Sequence, residues 1–197
     1  MIHHIDVSRV LRRSVCDLYS NLVTRPTGAA VRAEIEALIA DRPAGLRTLT
    51  VIDFTHVGLL DYSCADEVVA KLLLRYVVPE PPYDAYFVLR GTHEAHVDAI
   101  ETVLARYGLA LVLEESDHRA RLVGAVEEDE RHVWDVVYRV GPADVGTVAA
   151  ALAADGPTPL GADRVGQLID ALSARRVVIP VGLQYLAVGR ADEVMVG

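Results

Sequence analysis

Asp53, Asp61, Ser63, Cys64, Asp66 and Glu67 crowd into the stretch from Leu49 to Glu67. There an apolar run ends in an acid, a short loop carries a second acid and a hydroxyl, and an apolar helical pattern begins at once. A hydroxyl at a helix N-terminus faces unpaired backbone amides and the positive end of the helix dipole, so it is placed to hold, or to become, a phosphate. The spacing reads Ser63 as an N-cap, with Asp66 completing a capping box ahead of the face Val68, Val69, Leu72, Leu73 and Tyr76. Cys64 could act as a nucleophile if the helix terminus lowered its thiol pKa. No base accompanies it, and a small packing residue is the preferred reading.

Other residues offer less. His3, His4, Cys16, His56 and Cys64 carry metal-capable atoms without the close paired spacing of a zinc site, so no metal or other cofactor is expected. His93 and His96 stand three apart at a helix start and read either as a ligand pair or, beside Glu94 and Asp98, as an ordinary polar face, and the second reading is preferred. Thr24-Arg25-Pro26-Thr27-Gly28 reads either as an anion clamp using Arg25 and Thr27 or as an N-cap Thr with a turn-setting Pro, and the second reading is preferred.

The elements that must position these residues follow from periodicity. Residues 4 to 16 suggest a strand or a two-strand entry, and Val31, Ile35, Leu38 and Ile39 mark a helix that Arg42-Pro43 stops. Residues 49 to 54 read as a strand, 66 to 77 as a helix, and Ala85 to Leu89 as a second strand after the break at Pro79, Pro81 and Pro82. Val97, Ile100, Leu104 and Tyr107 mark a helix that Gly108 ends, Leu109 to Leu113 follows as a strand, and Arg119 to Val126 adds another. Helices returning between short apolar strands imply parallel pairing, so residues 1 to 126 read as an α/β unit with one mixed sheet and flanking helices.

The residues around Ser63 resemble the STAS domain of anti-anti-sigma factors, in which an apolar strand with Asp leads through a short loop to Asp-Ser-Ser-Gly and a helix. Asp53 matches the strand Asp, Val57 the apolar loop residue, Asp61 the motif Asp and Ser63 the serine phosphorylated in that family. Tyr62 stands in place of the first Ser and Cys64 in place of the Gly. The Ser-Cys-Ala-Asp-Glu end is closer to divergent STAS-like proteins whose helix opens with Ser-Phe-Ala-Asp-Glu. The resemblance implies a STAS-like regulatory domain. Its partner would be a histidine-kinase-like ATPase acting as anti-sigma factor or serine kinase, docking on Asp61, Ser63, Cys64, Asp66 and Glu67.

Composition bounds these readings. A chain of 197 residues with 52% hydrophobic content and a formal charge of −9 can bury a core, and it is not built to coat nucleic acid or an anionic membrane. Two cysteines give no disulfide framework, and both sit in buried-looking contexts that suit a reducing cytoplasm. The first twenty residues have no signal-peptide pattern, and no window has the run of apolar residues that a membrane helix needs.

A boundary is expected at Glu127-Glu128-Asp129-Glu130, read as a solvated helix start or linker. Beyond it, helices at 132 to 140, 143 to 154 and around Val165, Leu168, Ile169 and Leu172 precede a hairpin, Val177 to Ile179 with Gln184 to Val188. Their order resembles a winged helix over residues 127 to 197. The electrostatics oppose DNA: six arginines, no lysine and eleven acids leave this segment at −5. Arg164, Gln167, Arg175 and Arg176 are its candidate nucleic-acid contacts, with Asp163 and Asp170 opposing them. The expectation is a cytoplasmic, non-enzymatic bacterial-type regulator working through protein contact, with self-association into a homodimer open. The alternative is a winged-helix transcription regulator with a STAS-like sensor.

Overall fold

The computed structural model describes residues 1–14, 21–41, 45–155 and 160–190. The first element is β1 (Ile2–Asp6), followed directly by α1 (Val7–Ser14) where the sequence suggested more strand. Val7, Val10 and Leu11 give a buried helical face, and Asp6 Oδ1 accepts the Ser8 amide at 2.9 Å and its hydroxyl at 2.7 Å, turning the chain into the helix. The chain continues through β2 (Asn21–Leu22), α2 (Arg25–Ala40), β3 (Thr48–Asp53) and β4 (Leu59–Leu60). Three short helical pieces then run in sequence: α3 (Tyr62–Ala65), a π-helical turn (Asp66–Ala70) and α4 (Lys71–Leu74). Next come β5 (Ala85–Arg90), α5 (Glu94–Tyr107), β6 (Ala110–Glu114) and β7 (Ala120–Gly124). Gly108, left-handed at φ 66°, ends α5 as its position suggested. Cys16 and the stop at Arg42-Pro43 lie outside the described residues.

The main sheet has the order β1-β3-β5-β6-β7, parallel except for β7. Strands β3, β5 and β6 are buried on both faces, which explains their continuous apolar runs. One face carries Ile52, Phe87, Leu89 and Leu111, packed with Val31 and Ile35 of α2, Val68 and Leu72 beyond α3, and Ile100 and Leu104 of α5. A separate parallel pair, β2 with β4, ties the start of α2 to the start of α3.

The other face carries Leu49, Val51, Tyr86, Val88, Val112 and Leu122, and the C-terminal third of the chain packs against it. That third comprises α6 (Glu128–Val140), α7 (Val145–Asp155), α8 (Ala162–Ala174), the hairpin β8 (Val178–Val181) and β9 (Gln184–Ala187), and a 3-10 turn (Val188–Arg190). The acidic run at 127 to 130 opens α6, with Glu127 and Glu130 forming a reciprocal capping box. Trp134 is wholly buried, and its indole N–H donates to the Val177 carbonyl at 3.0 Å. Ala143 bridges Tyr185 antiparallel, adding a third short extended segment to the hairpin. The boundary read at 127 therefore marks a change of pattern within a shared core: one apolar cluster spans both sides of it.

Candidate functional site

Asp61, in extended conformation at φ −82° and ψ 166°, is the N-cap of α3, and its Oδ1 accepts the Cys64 amide at 2.8 Å. The cap was expected at Ser63, but Ser63 lies inside the first turn and its hydroxyl donates to the same Asp61 oxygen at 2.9 Å. The earlier acid wins because an extended carboxylate reaches the third amide of the turn, which a residue already in helical conformation cannot do. Ser63 is half-buried and borders an open cleft with Arg25, Tyr62, Asp66, Thr102 and Arg106.

The capping box expected at Asp66 is absent as well. Asp66 and Glu67 are instead 4% and 3% exposed, in the middle of an apolar run. Arg25, from the first turn of α2, places Nη1 2.8 Å from Asp66 Oδ2 and 2.8 Å from Glu67 Oε1. The Tyr107 hydroxyl donates to Asp66 Oδ1 at 2.8 Å, Arg32 reaches Glu67 Oε2 at 3.4 Å, and Lys71, the only lysine in the chain, is bonded to Glu67 Oε1. Glu36 extends the network by pairing Arg32 at 2.9 Å and Arg75. The π-helical turn begins at Asp66, with the Lys71 amide bonded to the Asp66 carbonyl, and both adjacent acids lie buried within it.

Burial alone would raise both carboxyls. Hydrogen bonds from Arg25 and Tyr107 to Asp66, and from Lys71 and Arg25 to Glu67, outweigh it and hold both below their ordinary values. The cluster is a clamp between α2 and the π-turn. Gly28 permits the approach: a Cβ there would stand 3.0 Å from both Cys64 Cα and Glu67 Cβ.

Cys64 is fully buried and its thiol donates to the Thr24 carbonyl at 2.9 Å. Burial, then the charge of Asp61, pushes that thiol up to about 11, so the lowered pKa that nucleophilic chemistry would need is reversed. Thr24 caps α2 through the Thr27 amide at 3.3 Å, with Pro26 in the first turn, as the plainer reading had it. Thr27 is thereby used in the cap, and Arg25 is committed to the buried acids while its guanidinium still borders the Ser63 cleft.

Asp53 stands outside this group. It closes the Thr55 turn at 2.9 Å and binds Arg90 at 2.7 Å. His93 stands at the N-cap position of α5 without a side-chain cap bond, its Nε2 3.1 Å from the Gly58 carbonyl oxygen, and His96 is fully buried, the two ring centroids 3.4 Å apart. Among the described residues no three His, Cys, Asp or Glu side chains gather as metal ligands, and no helix is long and apolar enough to cross a membrane.

The four C-terminal candidates divide. Arg164 and Gln167 are exposed on α8, Arg164 lying 3.9 Å from Asp129. Arg175 bonds the Ala125 carbonyl at 2.5 Å and Glu130 at 3.0 Å, while Arg176 bonds the Tyr76 carbonyl at 3.0 Å and Asp84 at 2.8 Å and covers the Tyr86 ring. These two cations stitch the C-terminal region to the sheet, so they do not stand at the root of a wing as phosphate contacts.

Sequence reasoning missed Arg32, Glu36, Lys71, Arg75, Arg106 and Tyr107. The available signal was the i,i+4 spacing of Arg32 with Glu36 and of Glu67 with Lys71, together with two acids set among Ala65, Val68, Val69 and Ala70. Comparison of the chain with family models, with curated proteins and with solved structures finds no match.

Proposed function

We propose that the chain is a non-enzymatic signalling regulator that acts through protein contact, with a STAS-like unit docking its partner around Ser63. The observation that carries this reading is the surface beside that serine. Val23, Leu59 and Tyr62 are exposed at 41%, 53% and 58%, on the segments that β2 and β4 join, next to a cleft bordered by Arg25 and Arg106. Exposed apolar side chains rimmed by charge on a rigid frame suit a protein interface. The proposed partner is a histidine-kinase-like ATPase, acting as anti-sigma factor or serine kinase in the cytoplasm. Phosphate on Ser63 would add about −1.5 to −2 charges, beside Asp61 and within reach of the two arginines, and so change how the surface binds.

Wild type, Ser63→Ala and Ser63→Asp would be used as bait against host extract, with captured proteins identified by mass spectrometry. An ATPase held by wild type and Ser63→Ala but released by Ser63→Asp supports the switch. Equal capture by all three baits removes it.

A second reading, DNA contact by a winged-helix-like C-terminal region, draws on one observation. The Ala143–Tyr185 bridge completes a three-helix, three-strand order with α6, α7, α8 and the hairpin. Charge opposes it, because the net −5 of residues 127 to 197 leaves phosphate un-neutralised and Arg175 and Arg176 are committed to Glu130 and Asp84. Gel-shift titration of the full chain with duplex DNA distinguishes the two: tight, salt-dependent binding would favour the transcription regulator.

A further inference from the structure

The C-terminal region leaves part of the sheet open. A cleft of about 300 Å³ remains, with Ile2, Leu49, Val51 and Val88 among its lining residues and Val188 and Gly189 on its far side. That is the lower end of the about 300–1,000 Å³ range of small-molecule pockets. Arg90 and Glu114, the last residues of β5 and β6, also line it, so it opens at the carboxyl ends of parallel strands, where open α/β sheets bind ligands.

Arg90 and Glu114 are register partners on neighbouring strands, yet they do not pair with each other. Arg90 gives Nε and Nη2 to Asp53, at 3.1 and 2.7 Å, and its Nη1 has no partner among the described residues. Glu114 meets His118 Nδ1 through Oε1 at 2.9 Å, and its Oε2 is likewise without a partner there. Two opposite charges, each with an unused hydrogen-bonding atom, thus stand side by side beside aliphatic side chains. Asp53 already offsets Arg90, so the carboxylate left without a cationic side chain from Arg or Lys at the mouth is Glu114. A simple anion is disfavoured there, and a ligand that brings its own ammonium is not.

We propose that this cleft binds a free aliphatic α-amino acid. The ammonium would meet Glu114 Oε2, the carboxylate Arg90 Nη1, and the side chain the surface made by Leu49, Val51 and Val88. Charge-assisted hydrogen bonds of this kind fix orientation, while the apolar contact supplies area.

Isothermal titration and thermal-shift measurements on the full chain test this with L-leucine, L-isoleucine, glycine, leucinamide and N-acetyl-L-leucine. L-leucine or L-isoleucine should bind saturably and raise Tm. Glycine, which lacks the side chain, and N-acetyl-L-leucine, which lacks the ammonium, should each bind at least about tenfold more weakly. Leucinamide, which keeps the ammonium, should fall between. Glu114→Gln should melt as wild type does without ligand and lose at least about tenfold in leucine affinity. Arg90→Gln should weaken leucine as well; because Arg90 also holds Asp53, the ligand series on wild type decides the matter if that variant does not fold. Absence of saturable binding by both aliphatic amino acids, or N-acetyl-L-leucine binding as tightly as L-leucine, overturns the proposal.

Discussion

Arg25 and Asp66 meet at 2.8 Å across the α2–π-turn contact, and the same guanidinium nitrogen serves Glu67 at 2.8 Å. One partly exposed cation therefore holds two buried carboxylates. Removing a partner from a buried pair costs about 3–5 kcal/mol, but Arg25 is 52% exposed and Lys71, Arg32 and Tyr107 remain. Arg25→Ala is thus expected to lower the denaturation midpoint, but by less than the loss of a fully buried partner would. Denaturant melts of wild type and variant measure it, and an unchanged midpoint would mean the bridge carries no stability.

The same cluster sets an acid dependence. Asp66 and Glu67 have folded pKa values below their ordinary 3.8 and 4.5, so the unfolded chain takes up protons first as pH falls. Their contribution is complete above about pH 5 and is lost as pH drops through the folded values. An Asp66→Asn, Glu67→Gln double variant should show a flatter stability curve below about pH 5 than wild type. Parallel curves for the two proteins over that range would sink the assignment.

Gly28 lies in ordinary helical conformation, so its role is one of space rather than of dihedral freedom. Ala would favour the helix by roughly 1 kcal/mol, yet its methyl would sit 3.0 Å from the Cys64 backbone. Overpacking costs about 1–3 kcal/mol and should win, so Gly28→Ala lowers Tm. A rise in Tm would show that α2 can shift without loss.

The parts legible in the sequence were those governed by local periodicity. Val97, Ile100, Leu104 and Gly108 marked α5, and the runs at 49–54, 85–89 and 109–113 marked the parallel strands to within one residue at each end, because apolar spacing and a left-handed glycine act over a few residues. The Ser63 neighbourhood was located, but its roles were exchanged between Asp61, Ser63 and Asp66. A capping box and a buried acid pair share the same letters, and only the arrival of Arg25 and Tyr107, each about forty positions away, separates them. Arg175 and Arg176 likewise read as surface cations until the fold brought Glu130 of α6 and Asp84, just before β5, to them as partners.

Exchanging those roles changes what substitution should do. Asp61→Ala removes the side-chain acceptor for the Cys64 amide and is expected to cost about 0.5–2 kcal/mol. Ser63→Ala removes only a hydroxyl that donates to Asp61 and should cost under about 1 kcal/mol. Thermal melts of the two variants rank them directly. If Ser63→Ala proves the more damaging, Ser63 does cap the helix in solution.

A chain ending at Val126 would keep every strand of the main sheet and every helix of its first face. It would also present Leu49, Val51, Tyr86, Val88, Val112 and Leu122 to water, since these pack against Trp134, Val137, Ile169 and Leu172. An apolar patch spread over four strands is larger than soluble monomers tolerate. Asp84 would lose Arg176, and the Tyr86 ring would lose the guanidinium over it. The acidic run at 127 suggested independent folding, but the shared core makes the expected outcome a truncated chain that binds a hydrophobic dye, self-associates and melts without a sharp transition. Light scattering, dye fluorescence and calorimetry on the truncated and full chains measure all three. A monomeric, dye-silent fragment with a cooperative melt would instead establish residues 1 to 126 as a folding unit of their own.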